Sequence, residues 1–241
     1  MLAQFKHSYR SLAQAQKTSR GTPLYTLLVN RPAGRALAAI SPKWITPDHL
    51  TSVSGILSIG AIAVLALLAV SGPIVALVPL LLLAGYAFDS ADGQLARLRG
   101  GGSLRGEWLD HILDCGKTVL LHLGTYWFLV RTQTAAPGLA LLIAGSFLLA
   151  SMMIFFAGIL FQQLERSVAS PIIPRSSRSG RLRAMFMLPA DNGILCLSYV
   201  LLFWNDLFLW SYTLLAIANL TFMAAFLITW SKRLQTLDAS R

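Results

Sequence analysis

Residues 50–70 read LTSVSGILSIGAIAVLALLAV, and after the breaker formed by Ser71, Gly72 and Pro73 the chain continues IVALVPLLLLAGYAFDSA over residues 74–91. An uncharged run of about twenty apolar residues covers roughly 30 Å as a helix, the thickness of a bilayer's hydrocarbon core. Two apolar runs of about this length in succession, the second carrying Asp89 near its end, set the fold class as an all-α integral membrane protein. Working outward, hydropathy places six transmembrane helices at 50–70, 73–91, 107–130, 137–162, 185–204 and 207–230, plus an N-terminal interfacial amphipathic segment. Glycine triplet 100–102, the Ala136, Pro137 and Gly138 turn, and Asn205 with Asp206 mark further cuts. The expected organisation is an amphipathic segment at 1–45, a six-helix domain at 46–231 and a tail at 232–241.

Composition agrees with this reading. Of the 241 residues 55% are hydrophobic and 12% charged, and the mean hydropathy is +0.62, which excludes an ordinary soluble enzyme. The net charge of +10 does not point to nucleic acid, because the basic residues lie between apolar runs rather than on one solvated domain. On the six-helix layout one membrane face receives 18 of the 20 Lys and Arg residues, leaving Arg131 on the other face and Lys117 within the third span. Short basic loops stay inside, so both termini are expected to be cytoplasmic. Cys115 and Cys196 lack metal-ligand spacing and read as reduced packing residues. Residues 1–49 hold seven basic side chains and no continuous apolar core, so no cleavable signal is expected. Within them Leu24, Leu27, Leu28, Ala36, Leu37 and Ile40 alternate with Asn30, Arg31 and Arg35, with a break expected near Pro32. That pattern fits an interfacial helix on anionic headgroups, or a basic anchor that merely fixes topology.

The acids carry the chemistry. Asp89, Asp92, Glu107, Asp110 and Asp114 are five of the ten in the chain and fall within 26 residues. An ionised side chain at membrane depth costs about 2.5–3.5 kcal/mol, so such residues usually face a polar cavity. The plainer reading pairs them with Arg97, Arg99, Arg105 and Lys117 at helix ends, yet four crowded carboxylates repel one another unless a cation sits between them. Asp89, Asp92, Gly93, Ala96 and Arg97 share one helical face, as do Gly106, Asp110 and Asp114. The glycine-rich turn at 99–103 folds the two helix ends together, which predicts convergence of the four aspartates. Hard oxygen ligands without His or Cys favour Mg²⁺ or Mn²⁺, and four carboxylates suffice for two ions. Phosphoryl transfer is the chemistry expected there. Gly93 lets a phosphate or ribose approach the backbone, and Arg97 offers a fixed cation to a diphosphate.

The run from Asp89 to Asp114 resembles the signature of the CDP-alcohol phosphatidyltransferases, D-x2-D-G-x2-A-R-x8-G-x3-D-x3-D, with all eight fixed positions present. The resemblance implies transfer of a phosphatidyl or phospho-alcohol group from a CDP-alcohol, commonly CDP-diacylglycerol, to a second alcohol with release of CMP. It implies a two-ion Mg²⁺ or Mn²⁺ site on Asp89, Asp92, Asp110 and Asp114, with Asp114 also the general base. It further implies that Gly93 and Arg97 hold CDP and that Ser103 lies near the nucleotide. A homodimer in the bacterial plasma (inner) membrane, with a cytoplasmic active site, follows from the same likeness. Thr46, Pro47, Asp48 and Thr51 are similar to the family's T-P-[ND]-x-x-T; they read as a helix start that also brings Asp48 and Thr51 near cytidine or ribose.

The acceptor is less constrained. Arg166, Arg175, Arg178, Arg181 and Arg183 form either a solvated topogenic run or a clamp for an acceptor phosphate, and Lys117 either neutralises the acids or touches that phosphate. The clamp reading favours a phosphorylated polyol such as inositol phosphate or glycerol phosphate. The T-P-D and R-G-G-G-S details resemble bacterial phosphatidylinositol-phosphate synthases, which tend to carry a basic residue where this chain reads FFAGILFQQ at 155–163. Asp191, Asn192 and Gly193 open the fifth span as a cap within reach of the cavity. His111 and His122 read as packing residues, residues 126, 127, 204, 210 and 212 as an interfacial aromatic belt, and Gly145 with Ser151 as a close-contact face. A membrane transporter of a divalent cation or phosphorylated solute is the competing class; it would spread its carboxylates over several spans near mid-membrane, whereas these crowd two adjacent helices at one surface.

Overall fold

The computed structural model describes residues 22–68, 72–168 and 187–239, together with Tyr9 and Leu12. Among these residues the secondary structure is entirely helical. A π-helical turn at Thr26–Asn30 leads into α1 (Arg31–Ile40), with Pro32 in its first turn, where a missing N–H is harmless. The Pro32 position thus starts a helix rather than breaking one. There follow α2 (Pro47–Leu67), a 3₁₀ turn at Gly72–Ala76, α3 (Leu77–Leu98), α4 (Leu104–Arg131) and α5 (Pro137–Ser167). After a 3₁₀ turn at Leu188–Ala190 come α6 (Asn192–Ser198), another 3₁₀ turn at Tyr199–Phe203, and α7 (Asn205–Asp238).

Where six spans were expected, four helices among the described residues are long and apolar enough to cross a membrane: Pro47–Leu67, Gly72–Leu98, Pro137–Ser167 and Asn205–Asp238. Helix α4 has the length, but Glu107, Asp110, Asp114 and Lys117 occupy its first half. The segment expected at 185–204 holds a helix of only seven residues followed by a five-residue 3₁₀ turn, because Asp191 starts α6 as its cap and Trp204 leaves it in extended conformation. The charges lower the hydropathy of α4, and α6 with its 3₁₀ turn covers only Asn192–Phe203, too short to span.

Helix α2 packs along α3 and α4, α5 packs against α4 and α7, and α1 lies on α3. At the α2–α3 crossing a Cβ on Gly85 would lie 2.5 Å from Ser58 Oγ and 3.1 Å from the Ser54 carbonyl, so the two backbones meet where a side chain would hold them apart. Leu65, Val78, Phe128, Phe147, Tyr199, Phe208 and Tyr212 form a tightly buried interior. Leu142, Leu149 and Phe156 on α5 and Trp210, Leu214 and Ile217 on α7 are exposed, as a lipid-facing surface requires. Trp127, Trp204 and Trp210 are exposed as the aromatic belt predicts, but Tyr212 is fully buried, 2.5 Å from His122 Nδ1. A phenol inside apolar surroundings needs a partner, and the imidazole, itself packed on Phe147, provides one. Ser151 completes that cluster at 3.2 Å from His122 Nε2, so its small side chain serves a contact within the chain.

Two devices fix the end of the bundle that carries the acids. The first is the turn between α3 and α4, where Gly100 and Gly101 adopt φ of 94° and 132°, values that side-chain-bearing residues avoid. Arg99 pins this turn by donating to the carbonyls of Ile45 and Pro42 ahead of α2. The second is a latch on the N-terminal segment. Asp191 accepts from the Thr26 backbone N–H at 2.8 Å, from the Thr26 hydroxyl at 2.9 Å and from the Gly193 N–H at 2.9 Å. Tyr25 lies against Gly193 so closely that a Cβ there would overlap its ring, and Gly34 sits flush on Ser90, its notional Cβ 2.6 Å from Ser90 Oγ. The amphipathic segment is thereby held on α3 and α6, which goes beyond a topogenic anchor.

Asp191→Asn replaces one accepting oxygen by an NH₂ facing donors, a change that costs about 1–3 kcal/mol at a buried site. Trypsin cleavage after Arg35 in detergent-solubilised protein should therefore accelerate about fivefold or more. Equal cleavage rates in the two proteins would show that the latch does not hold the segment.

Candidate functional site

Acidic residues of α3 and α4 meet about two to three helical turns away from the glycine connection. One carboxylate oxygen from each of Asp89, Asp110 and Asp114 lies within 4.8 Å of the others. Lys117 stands among them, its Nζ 2.6 Å from Asp89 Oδ1 and 2.7 Å from Asp114 Oδ1, and it donates to Ser54 Oγ at 3.2 Å. Ser54 in turn donates to Asp89 Oδ1 at 3.3 Å. Of the two roles read for Lys117, the structure places it on the acids, where a cation relieves carboxylate repulsion.

Asp92, expected to converge with the other three aspartates, is the most enclosed of the four and lies outside their cluster, lining the same cavity as Asp89 and Asp110. Its Oδ2 accepts from the Thr51 hydroxyl at 2.6 Å, and its Oδ1 from the Gly93 N–H. Thr51 therefore reaches the site by orienting a carboxylate from the start of α2. That start is fixed by a capping box: Thr46 Oγ1 accepts from the His49 N–H at 3.3 Å, and His49 Nδ1 accepts from the Thr46 N–H at 3.2 Å. Asp48 faces α4 at Gly106, where a notional Cβ would lie 3.0 Å from Asp48 Oδ1. The motif's second glycine is thus where α4 lets the α2 carboxylate approach. Ser103 caps α4 by accepting from the Gly106 N–H at 2.9 Å.

A cavity of about 250 Å³ opens beside these acids. Asp89, Asp92, Gly93 and Arg97 of α3 and Asp110 of α4 line one side, and Thr26, Asn30 and Arg31 of the N-terminal segment line the other. Burial pulls the Arg31 pKa below the ordinary guanidinium value, an effect Tyr86 partly offsets. A second, narrower cavity of about 120 Å³ runs inward from Asp89, Asp114 and Lys117 to His122, Ser151 and Asn192. A wider recess of about 690 Å³ lies around Gly72 and Trp204, with Asp206 as the charged residue among the described ones that line it, and has no part in the acidic cluster.

The basic loop divides. Arg166 pairs with Glu107 at 3.6 Å on the exposed flank of α4 and α5 and does not line either acidic cavity. Arg175, Arg178, Arg181 and Arg183 lie outside the described residues. Asp191 caps α6, as read from the sequence, and also holds Thr26, which sequence reading missed. Gln94, Tyr86 and Arg31 were likewise missed at the cavity. Gln94 occupies a variable position of the motif, and Arg31 lies among basic residues that read as headgroup contacts.

The donor set tests whether a divalent cation fits. Three converging carboxylates, a fourth beside them, and no His or Cys among them suit a hard, oxygen-liganded ion. A cluster of that kind on two helices at one surface, next to a cavity with two guanidinium groups, suits an anionic phosphate substrate.

Comparisons agree with this chemistry. The sequence pattern of the CDP-alcohol phosphatidyltransferases matches residues 44–231. Among solved structures, the phosphatidylinositol phosphate synthase of Mycobacterium tuberculosis, crystallised with CDP-DAG bound, has a similar fold with a TM-score of 0.51. The match is 22% identical in sequence and covers 87% of this chain and 93% of that one. No curated protein matches the chain significantly. With eight of eight motif positions present and four-fifths of its length accounted for, the chain belongs to the CDP-alcohol phosphatidyltransferase family, enzymes of phospholipid synthesis.

Proposed function

We propose that the protein transfers the phosphatidyl group of CDP-diacylglycerol to the hydroxyl of a polar alcohol at the cytoplasmic face of a bacterial plasma membrane, releasing CMP. The observation that carries this is the meeting of Asp89, Asp110 and Asp114 beside Asp92 and Arg97 at one end of the bundle. The donor follows the related synthase, which was crystallised with CDP-DAG. A phosphorylated polyol, inositol phosphate or glycerol phosphate, is the acceptor we favour, because the cavity carries guanidinium groups on two walls.

Asp89, Asp92, Asp110 and Asp114 would hold two Mg²⁺ or Mn²⁺ ions. When bound, such ions neutralise the diphosphate and stabilise the charge that develops on the phosphoryl oxygens and on departing CMP. The chain's own groups do the rest. Arg97 contacts the diphosphate, and Gly93, without a side chain, leaves the backbone open to it. Thr51 holds the Asp92 carboxylate in one orientation. Asp114 accepts the proton of the acceptor hydroxyl as that oxygen bonds to the lipid-bearing phosphorus and the bond from that phosphorus to the CMP oxygen breaks. Lys117 fixes Asp89 and Asp114 relative to each other and limits their repulsion. Asp48 and Ser103, at the starts of α2 and α4, would border the nucleotide.

Purified protein given CDP-diacylglycerol and Mg²⁺ or Mn²⁺ should release CMP with one member of a panel containing inositol phosphate, glycerol phosphate, inositol, glycerol and serine. The absence of metal-dependent CMP release with all five would overturn the assignment. In the same assay Asp114→Asn should lose about a thousandfold or more of turnover while retaining metal-dependent CDP affinity within about threefold. Substantial residual turnover would remove Asp114 as base. Arg97→Lys should raise the donor KM about tenfold, since an ammonium cannot reproduce a forked phosphate contact. An unchanged KM would exclude that contact.

A further inference from the structure

The N-terminal segment supplies a wall of the cavity that the motif alone does not account for. Arg31 is the first residue of α1, nearly sixty positions ahead of Asp89, yet both line the same 250 Å³ space. Among the described residues that line it, Arg31 and Arg97 are the two guanidinium groups, one on each wall. The Arg31 guanidinium donates to Thr22 Oγ1 at 3.0 Å, and three further contacts hold the residue there. Gln94 Nε2 donates to the Arg31 carbonyl at 3.0 Å, Gly34 seats α1 on Ser90, and the Asp191 latch fixes Thr26 one turn earlier. A headgroup anchor needs no such registration, because a bilayer surface accepts a cation over a range of positions.

Gln94 gives a second sign of a ligand. Its side chain is 2% exposed and lines the cavity, and its Oε1 has no hydrogen-bond partner among the described residues. Its amide nitrogen is committed to the Arg31 carbonyl and to Ser90 Oγ, so the orientation of the amide is fixed. A buried carbonyl oxygen left unpaired costs about 1–3 kcal/mol, which a hydroxyl or amino donor on a substrate would recover.

We propose that the N-terminal helix completes the substrate site, with Arg31 binding a substrate phosphate opposite Arg97 and Gln94 Oε1 accepting a hydrogen bond from the same substrate. This deepens the proposed function and rests on it for the class of substrate. The ligand chemistry is a phosphate oxyanion next to a hydrogen-bond donor. The CDP donor and a phosphorylated acceptor both offer it.

Full-length protein in lipid nanodiscs, titrated calorimetrically with CDP and separately with inorganic phosphate in the presence of Mg²⁺, tests the assignment. Arg31→Ala should weaken at least one of the two by about tenfold or more, as expected for loss of a charge-assisted contact. Lys43→Ala, which removes an exposed cation from the same segment, should leave both within about twofold. Weaker CDP binding alone assigns Arg31 to the donor's diphosphate, and weaker phosphate binding alone assigns it to the acceptor. Loss of both places it where the two phosphates meet. Unchanged affinities in Arg31→Ala, or losses matched by Lys43→Ala, overturn the proposal in favour of a membrane anchor. Should Arg31→Ala not fold, Arg31→Lys decides, with about threefold or more weakening expected for a forked contact and no change overturning it. The titrations need no turnover, so a protein that releases no CMP but shows the Arg31 dependence refutes the reaction and leaves the subsite standing.

Discussion

Lys117 stands 2.7 Å from Asp114 on its own helix and 2.6 Å from Asp89 on α3, so one ammonium joins two helices whose carboxylates repel each other. Four carboxylates in apolar helices at one surface are tolerable only if positive charge lies among them or is brought to them. One ammonium among four carboxylates leaves the cluster acidic, and this residual charge suits it to hold further cations. The site is therefore compensated enough to fold and undercompensated enough to bind.

The surrounding architecture serves that compromise. Gly100 and Gly101 take backbone conformations that make the tight connection from α3 to α4, both of which pack on α2, and Arg99 ties the turn to the connection before α2. Thr51 then reaches Asp92 from the first turn of α2, a position set by the Thr46 and His49 capping box. Three helices thus contribute to one polar end, while the exposed flanks of α5 and α7 remain apolar. A carboxylate held by a hydroxyl donor has one orientation, and pre-set orientation is what a site for metal and phosphate requires.

The N-terminal segment shows how an amphipathic element can serve two purposes. Exposed Leu28, Ile40 and Trp44 suit the membrane interface, while Thr26, Asn30 and Arg31 turn toward the acids. Asp191 connects this segment to α6 across 165 residues. The same aspartate caps a short helix, so a polar residue inside an otherwise apolar stretch is fully used.

The helical membrane class, the starts of α2 and α6 at Thr46 and Asp191, and the family through its eight motif positions are legible along the chain. Those features are local: caps act within one turn, apolar runs report on their own burial, and the spacing from Asp89 to Asp114 is read along the chain. The structure alone decided what depends on contacts between distant residues. Among the described residues it left four helices long and apolar enough to span a membrane, since α6 is short and the first half of α4 is charged. It put Tyr212 against His122 inside the bundle rather than at the interface, assigned Lys117 to Asp89 and Asp114, and paired Arg166 with Glu107. It also brought Arg31 to the acids through Gln94, Gly34 and Asp191. The physical reason is the same in each case: whether a side chain faces lipid, water or another charge depends on which helix packs opposite it, and that neighbour is fixed only when the bundle closes.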